Sequence, residues 1–583
     1  MDIINFDEFS RIINAGGDIS NKKLFEPASF SSRGIGKDLT FKNCVFEKGL
    51  RFNTFSVSRK IRFEKCIFKD YVYFIDTTFR RTPEIIDCDF ENEVILNNCI
   101  LPGLHFSGGS IKKLTFSNSL RNVGVHYGEV KFLNSIQIEK LEFRKLITDK
   151  AIKLIQVNIE TLSIGKSTFE ESFCFADVDD KGFYKGREIF ITSSKFFGRV
   201  DFHKGEIEEN IYIQKVEFNE QFVFRKKFRS REISMDQVRS GYSVSIDYRN
   251  NLETLNLSNL VFDLGMSVFS GSSLCAHKLD DLATEGKLDI NFSGLFYGNF
   301  LVENIDINTI NMHGSNFGNI VFNNISTNWI WITDFINNQK VHFKGLKLNE
   351  SFNVLVIHDA TMGNIEFENT NFMKFNELVI SKSEISNLAL TNCIPPRRIQ
   401  IRTKNPKIGV GAEISLDSKI SSNVYFRDSY RQLKQSMEKA GNRYYSLHYK
   451  SLEMHYHWKE LRFGWDKVLL TFNWLSNNHG VSWVRGIVFT LTCTFITFSL
   501  LVAQVETPFF VWNFNATTGE IIKGFKAGLP EFVKYLSSFP SLIISGLNEN
   551  DYKVSGIVLF SRILIGIGIF QTISAFRKYG GKS

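Results

Sequence analysis

The fold of this chain is decided by three short segments, FKNCVF (residues 41–46), FEKCIF (residues 63–68) and IIDCDF (residues 85–90). Each segment places a cysteine two positions before a phenylalanine, and the cysteines Cys44, Cys66 and Cys88 are 22 residues apart. TTF (residues 77–79) and CIL (residues 99–101) lie half a period after two of these segments. A fixed period of this length predicts a β-solenoid, in which the large apolar side chain of each coil stacks inward on its equivalents.

The repeat continues less regularly towards residue 393. GNIVFNN (residues 318–324) and GNIEFENTNF (residues 363–372) share its composition, which is rich in asparagine and serine. These residues suit the tight corners of such coils, where left-handed backbone is needed. The repeat is harder to align over residues 110–290. Residues 177–187 and 226–250 are predicted to be insertions that loop out of the solenoid.

These repeats resemble those of the pentapeptide-repeat proteins, whose right-handed β-helix carries a phenylalanine or leucine at the centre of each five-residue face. The resemblance is clear over residues 41–101 and diffuse over residues 291–393. The Ala-(Asp/Asn)-Leu frame is absent and the period is near 22 rather than 20, so a more general parallel β-helix is the alternative.

Two later segments are similar to bacterial pentapeptide-repeat membrane proteins. They are SYRQLKQSMEKAGNRYYSLHYKSLEM (residues 429–454) and GIFQTISAFRKYG (residues 568–580). The resemblance implies a cytosolic right-handed parallel β-helix joined to an ion-channel-like module, and it implies no particular ligand.

The basic charge of the chain is concentrated in its C-terminal part. Residues 1–400 contain 48 Lys+Arg and 50 Asp+Glu, whereas residues 401–583 contain 22 and 12, which together give the net charge of +8. A nucleic-acid partner for the repeat region is therefore not expected. The eight cysteines form no CxxC pairs, and reduced thiols in a cytosolic compartment are the simplest interpretation.

Some β-helices cleave polysaccharides with clustered carboxylates. Two acidic clusters occur here, and their members are Asp177, Asp179 and Asp180, and Glu206, Glu208 and Glu209. Both clusters lie in predicted loops without repeat-aligned partners, so solvated side chains are the simpler interpretation. The spacings of His313, His342 and His358 do not align them on one face. We therefore expect no enzyme activity, catalytic residue, cofactor or metal site.

Two apolar runs near the C-terminus are long enough to cross a membrane. Residues 486–505 carry no charge, and residues 554–576 carry only Arg562. A helix rises about 1.5 Å per residue, so each run can cross a hydrocarbon core of about 30 Å. Two transmembrane helices are predicted, and buried core helices are the alternative that the length of the runs and their flanking charges disfavour.

Helices are also predicted between the repeats and the spans. Apolar residues recur at steps of three and four over residues 424–440 and again over residues 444–461, which is typical of a helical hairpin. Residues 464–476 read as an amphipathic helix lying along the membrane surface. The predicted domains are residues 1–395 (β-helix), 396–480 (hairpin connector and interfacial helix) and 481–583 (transmembrane module).

The basic residues predict the orientation in the membrane. Residues 401–485 contain 14 Lys+Arg, and the loop at residues 506–553 contains four lysines and five acids. Positive charges favour the cytosolic side, so both termini are predicted in the cytosol. The opening residues do not resemble a signal peptide. The expected location is the bacterial inner membrane, which the chain crosses twice.

Several polar residues lie within the predicted spans. Thr490, Thr494 and Thr497 share one face, which indicates either close packing or the lining of a water-filled path. Gln571 is a further polar residue of the second span. Arg562 lies deep in the span, where it either snorkels to the membrane surface or has a partner or a functional role, and Glu531 in the loop is the candidate partner.

The loop between the spans contains an apolar segment, residues 529–547, interrupted by Pro540. Pro530 is predicted to open a short helix, which Pro540 ends. Such a segment resembles the re-entrant pore helix and filter of two-helix channels, with a plain extracellular helix as the alternative. The candidate pore and filter residues are Ser537, Ser538, Pro540, Ser541, Ser545 and Gly546. The potassium filter pattern Thr-Val-Gly-Tyr-Gly is absent, so potassium selectivity is not expected.

Three functions remain open on the sequence. The first is a cytosolic β-helix sensor or scaffold coupled to an ion-channel-like pore, which needs a homo-oligomer because two spans cannot enclose a pore. The second is a membrane-tethered scaffold that binds a protein on the β-helix surface. The third, a defence or stress effector that depolarises the membrane, rests on family architecture alone. Membrane lipid is a partner in each.

Overall fold

The computed structural model describes residues 1–31, 34–120, 129–149, 151–175, 183–247, 252–264, 266–269, 288–348, 353–385, 387–399, 422–503, 517–537 and 552–580. The chain divides into two compact units. The first, which we call the solenoid unit, comprises Met1–Val379 and Asn387–Ile401. The second, which we call the helical unit, comprises Ile380–Ser386 and Arg402–Ser583.

The strands are short and numerous, and almost all of them belong to the solenoid unit. The strands up to residue 120 are Asp2–Ile4, Gly17–Ser20, Lys22–Leu24, Ala28–Ser31, Gly34–Ile35, Leu39–Lys42, Val45–Phe46, Leu50–Asn53, Ser56–Val57, Ile61–Glu64, Ile67–Phe68, Val72–Ile75, Thr78–Phe79, Glu84–Asn97 and Leu104–Leu120.

The middle strands are Glu129–Leu133, Ile136–Thr148, Ala151–Leu154, Val157–Gly165, Thr168–Phe169, Phe173–Phe175, Tyr184–Thr192, Lys195–Phe196, Val200–Gln214, Glu217–Phe218, Phe222–Asp236, Arg239–Ser240, Val244–Asp247, Thr254–Phe262 and Met266–Phe269. The last strands are Leu288–Tyr297, Phe300–Glu303, Asp306–Asn316, Ile320–Asn323, Ser326–Asn337, Lys340–Lys344, Lys347–Leu348, Val354–His358, Asn364–Glu368, Glu377–Ser381 and Leu388–Thr391.

These strands form a parallel β-solenoid of about 15 turns, as the repeats predict. Each strand pairs in parallel with its equivalent one coil later, so that Phe63 lies between Phe41 and Ile85 in register. One inward column runs through the whole solenoid, and its members are Ile19, Phe41, Phe63, Ile85, Phe106, Phe132, Leu154, Phe175, Phe202, Phe224, Ile246, Val268, Val302, Phe322, Phe343 and Phe367. All of these side chains are buried, and they form the hydrophobic core.

The corners of the first coils recur every eleven residues. A residue with left-handed backbone occupies each corner, and these residues are Asn43, Thr54, Lys65, Asp76, Asp87 and Asn98. The next residue is buried in every case, and in four cases it is a cysteine. Cys66 Sγ donates to the carbonyl oxygens of Phe41 (3.5 Å) and Glu64 (3.4 Å). Burial raises the pKa of the Cys99 thiol to about 12, so this thiol stays protonated and structural at neutral pH.

A short helix covers the N-terminal end of the solenoid. Helix α1 spans Phe6–Ala15. Its N-cap residue is Asn5, whose side chain accepts a hydrogen bond from the Glu8 amide. Phe9 on its buried face packs against the rings of Phe30, Phe41 and Phe46 at 5.8–5.9 Å. The helix therefore shields the apolar end of the first coil from water.

One predicted insertion is wrong. Most of residues 226–250 belongs to the coils, because the strands Phe222–Asp236, Arg239–Ser240 and Val244–Asp247 keep the 22-residue register. The other predicted insertion, residues 177–187, falls partly outside the described residues, and its last part begins the strand Tyr184–Thr192.

The helical unit contains six helices in the part of it that the structure describes. They are α2 (Ser422–Lys439), α3 (Arg443–Glu460), α4 (Trp465–Asn477), α5 (Trp483–Val502), α6 (Thr518–Ser537) and α7 (Tyr552–Gly580). Helices α2 and α3 form the predicted hairpin, in which the Phe426 and Tyr456 rings stack at 4.6 Å. The buried Glu453 carboxylate pairs with Arg431 (3.1 Å) and Lys434 (2.8 Å). Helix α4 coincides with the helix predicted over residues 464–476, and its location at a membrane surface stays a prediction.

Helix α6 differs from its prediction. It begins at Thr518 rather than after Pro530, and it contains that proline in its interior. The apolar residues Ile521, Phe525 and Leu529 continue the helical period upstream, so the helix extends to the N-terminal side of the proline. Pro530 then costs one backbone hydrogen bond without ending the helix.

Helices α5 and α7 are long and apolar enough to cross a membrane, by length and composition. The qualifying stretches are Trp483–Val502 and Ser555–Phe576. Both overlap the predicted spans to within a few residues.

Candidate functional site: the polar contacts of the helical unit

Glycines let α5 and α7 approach each other closely. A Cβ at Gly568 would lie 2.3 Å from Thr490 Oγ1, and a Cβ at Gly486 would lie 2.5 Å from Thr572 Oγ1. Either position therefore excludes a side chain, and threonine fills the space left by each glycine. Small residues at the contact between two helices are typical of membrane proteins.

The three threonines predicted to share a face lie buried in this contact. Thr490 Oγ1 donates to the Gly486 carbonyl oxygen (2.8 Å), and Thr494 Oγ1 donates to that of Thr490 (2.7 Å). Thr497 Oγ1 donates in the same way to Cys493 (2.8 Å). Within one chain, these hydroxyls satisfy carbonyl oxygens of their own helix and pack against α7.

Three hydroxyls from three helices meet at one buried point, which we call the hydroxyl junction. Tyr535 Oη of α6 donates to Ser561 Oγ of α7 at 2.5 Å, and Thr497 Oγ1 of α5 lies 3.1 Å from the same oxygen. Ser561 is fully buried and Tyr535 is 2% exposed. Apolar residues surround the junction, and the buried members of this cluster are Phe498, Leu501, Val502, Tyr535 and Ile565. Phe498 packs on both Phe532 and Tyr535.

Sequence reasoning missed Ser561 and Tyr535. Ser561 immediately precedes Arg562, which was singled out, and Arg562 is half-buried in α7. Glu531 Oε1 accepts a hydrogen bond from Lys534 Nζ at 2.9 Å, and its predicted pairing with Arg562 stays a prediction. Ser537 is the last residue of α6.

The remaining predicted pore and filter residues are not described. Ser538, Pro540, Ser541, Ser545 and Gly546 lie outside the described residues. The filter assignment therefore stays a prediction.

Three amide side chains join α4 to α7, and we call this contact the amide clasp. Gln571 Nε2 donates to Asn473 Oδ1 at 2.8 Å, and Asn477 Nδ2 donates to Gln571 Oε1. Asn477 Oδ1 also accepts from the Gly480 amide at 2.7 Å. Gln571 was predicted as a polar residue of the span. Its partners could have been found from their i, i+4 spacing on one side of α4.

His479 is buried where α4 ends. Asn478 has left-handed backbone, and the amides of Asn478 and His479 donate to the carbonyl oxygens of Trp474 and Asn473 at 3.1 Å each, which satisfies two terminal carbonyl groups of the helix. The imidazole is 7% exposed, and neither ring nitrogen bonds to a described residue. Burial, with a smaller contribution from the charge of His455, lowers the pKa of His479 to about 4. The ring is therefore neutral at physiological pH.

Two members of one acidic cluster form ion pairs, and one of the histidines lies beside a carboxylate. Glu208 pairs with Lys185 (3.2 Å) and Glu209 with Arg187 (2.8 Å). His342 lies 3.3 Å from Glu368. Asp177, Asp179 and Asp180 lie outside the described residues. Within the described ranges, no group of three or more His, Cys, Asp or Glu side chains could hold a metal ion.

Comparison of the chain with known protein families, with curated proteins and with solved structures found no match.

Proposed function

We propose that this chain is a bacterial inner-membrane protein in which a cytosolic β-solenoid of pentapeptide-like repeats controls an oligomeric, ion-channel-like pore. Helices α5 and α7 are the spans, α6 is the re-entrant element, and both termini lie in the cytosol. The coarser part of this description, a β-solenoid with two helices that could cross a membrane, is what the structure contains.

The hydroxyl junction is the observation that carries the proposal. Thr497 lies five residues from the end of α5 at Val502, and Ser561 lies six residues from the start of the span at Ser555. At about 1.5 Å per residue, both positions are about 8–9 Å inside the ends of the spans. Tyr535 bonds to Ser561 there. A loop that stayed on the outer surface would not bury a tyrosine at this depth, whereas a re-entrant element would.

A continuous series of contacts inside the helical unit supports control from the repeat side. The Ile385 amide donates to Gln432 Oε1 of α2 (2.5 Å), and Arg431 of α2 pairs with Glu453 of α3. The Trp458 indole N–H of α3 then donates to Thr471 Oγ1 of α4 at 2.9 Å.

The amide clasp continues from α4 into the span α7. A rearrangement of Ile380–Ser386 could thus reach the span through packed and hydrogen-bonded elements, which is the physical requirement for coupling.

The oligomer is required by geometry. Only 17% of the Ser555–Phe576 stretch is buried in one chain, which leaves most of that span free to contact lipid or neighbouring copies. Two spans and one re-entrant helix cannot enclose a pore alone, so several copies must surround it.

Conductance of the purified full-length protein in planar bilayers tests the proposal. The expected result is a current that a charged thiol reagent changes after Ser545→Cys. The reagent should leave the current unchanged in the wild type and in Thr517→Cys, because Thr517 immediately precedes α6 and is not a candidate filter residue. Absence of current from oligomeric, membrane-inserted protein would overturn the pore.

A membrane-tethered binding scaffold is the second candidate, and a specific surface favours it. Four apolar side chains of neighbouring coils are 40–48% exposed: Leu295, Tyr297, Phe317 and Ile336. The Tyr297 and Phe317 rings stack at 4.7 Å. Exposed apolar patches on a repeat protein are typical of binding surfaces. If replacement of both spans by an unrelated anchor preserved the biological activity, the scaffold would be supported and the pore rejected.

A further inference from the structure

Helix α4 exposes an apolar stripe to solvent along its whole length. Trp465 is 84% exposed and Leu469 is 62% exposed, and Phe472 and Leu475 continue the stripe at helical spacing. Phe463, in the turn that precedes the helix, is 93% exposed. Side chains of this size are rarely left in water without a partner. The stripe therefore needs an occupant.

One side of α4 contacts α3. Thr471 accepts a hydrogen bond from Trp458 of α3, and Lys467 Nζ lies 5.0 Å from the centre of the Trp458 ring. Lys467 Nζ also donates to the Leu461 carbonyl oxygen at 2.9 Å. Helix α3 thus contacts the side of α4 that carries Lys467 and Thr471, and it leaves the stripe exposed.

The amide clasp places α4 at a definite level along α7. Gln571 lies five residues before Phe576, where the apolar stretch ends, which is about 8 Å along the helix. In-plane amphipathic helices bury their apolar face about 5–10 Å into the boundary between headgroups and acyl chains. The level of α4 therefore agrees with the depth at which a bilayer surface would cover its stripe.

Exposed basic residues precede and follow α4 in the chain. Arg462 adjoins Phe463 in the turn before α4, Lys459 is the penultimate residue of α3, and Arg485 lies in the first turn of α5. Asp466 is the acid on α4 itself. Arginine and lysine beside exposed aromatic rings suit the headgroup region, where the charge meets lipid phosphate and the rings meet the acyl boundary.

We propose that α4, with Phe463 and Arg462, is a docking surface for the anionic headgroups of the cytosolic leaflet, and that it holds the helical hairpin against the bilayer. The proposal rests on the membrane insertion of α5 and α7 proposed above. Because the amide clasp joins α4 to α7, a change in the position of α4 at the surface is passed directly to α7.

Quenching of tryptophan fluorescence by lipids brominated near the headgroup tests the position of α4. Full-length protein is reconstituted into phosphatidylcholine vesicles and into vesicles in which part of that lipid is replaced by phosphatidylglycerol. Trp465→Phe should remove part of the quenching, and Trp483→Phe at the start of α5 should remove another part. Loss with Trp483→Phe alone would overturn the docking of α4 and leave the spans in place. No quenching of either residue would overturn membrane insertion itself.

The charge dependence is tested in the same vesicles. Arg462→Gln should lower the equilibrium constant for docking of α4 about fivefold in anionic vesicles and little in neutral ones. Lys48→Gln, an equal change of charge at an exposed position of the solenoid unit, is the matched control and should leave the quenching unchanged. Equal effects of the two variants would overturn the role of Arg462. Crosslinking of Trp465→Cys to a second copy in the absence of quenching would replace the lipid surface by a protein interface.

Discussion

Thr490 Oγ1 lies only 2.3 Å from the point that a Cβ at Gly568 would occupy. The hydroxyl cannot move away freely, because it donates to the Gly486 carbonyl oxygen of its own helix at 2.8 Å. The close approach of α5 and α7 therefore depends on the missing side chain at residue 568.

Gly568→Ala should destabilise the helical unit. Forcing a methyl group into this contact costs about 1–3 kcal/mol, which exceeds the gain of about 1 kcal/mol that alanine brings to a helix interior. Gly556→Ala in the same helix is the matched control, because a Cβ there meets no atom within 4 Å. Thermal unfolding of the purified protein in detergent should show a lower Tm for the first variant and an equal or higher Tm for the second. A rise with both variants would contradict the packing.

Tyr535→Phe removes one hydroxyl from the hydroxyl junction and leaves the ring in place. We expect a loss of about 1 kcal/mol, because the buried Ser561 oxygen loses its donor from α6. Tyr444→Phe is the control, since Tyr444 is 66% exposed on α3 and the change should be nearly neutral. Tm values in detergent measure both variants, and indistinguishable values would show that the junction contributes little.

The architecture of the solenoid could be predicted because its signal is local and periodic. The 22-residue interval between Cys44 and Cys66 reappears as the strand register, and the phenylalanine two positions after each cysteine points inward. The interval is hidden where the inward position holds Ile246 or Val268 instead of phenylalanine. For this reason, residues 226–250 were wrongly predicted to loop out.

Buried amides also hide the register. In one later coil, the inward position is Asn316, which is fully buried and donates to Asn337 Oδ1 at 2.9 Å. The adjacent Phe317 is 40% exposed, although its large apolar side chain suggests an inward position. Ladders of hydrogen-bonded asparagines satisfy buried polar groups between coils, which hydrophobicity patterns alone do not reveal.

The contacts of the helical unit were less predictable. Thr490, Thr494 and Thr497 recur at helical spacing, so their common face could be predicted. The contact of Tyr535 with Ser561 joins residues on two different helices, and no periodic pattern specifies which residues of separate helices meet. The start of α6 was wrongly predicted, because the proline rule outweighed the apolar residues upstream of it.

His479 should make stability depend on pH. Its pKa is lowered to about 4 in the folded chain, against about 6.5 in the unfolded chain. The unfolded state therefore binds more protons between these values, and stability falls as the pH falls from about 6.5 to about 4. The loss reaches about 3 kcal/mol if the ring stays fully enclosed. It should be complete below about pH 4.

His479→Asn separates this effect from general acid denaturation. Asparagine does not titrate, and it tolerates the left-handed backbone at this position (φ 59°). The difference in Tm between pH 7 and pH 4.5 should be smaller in the variant than in the wild type. An unchanged difference would assign the acid sensitivity to other groups.

Phe68→Ala should be among the most destabilising changes in the solenoid unit. The Phe68 ring stacks between Phe46 at 4.6 Å and Phe90 at 4.5 Å, and it is nearly parallel to both rings. The alanine leaves a cavity that the stiff, parallel coils cannot close, so we expect a loss of about 3–5 kcal/mol. Phe197→Ala is the matched control, because that ring is 44% exposed and its removal should cost less than about 1 kcal/mol. Urea unfolding followed by circular dichroism measures both variants.

Because each coil rests only on its neighbours, the weakened coil should also open first, and limited proteolysis should cleave Phe68→Ala near residue 68 earlier than the wild type. Equal stabilities of the two variants would mean that the stacked phenylalanines do not hold the coils together.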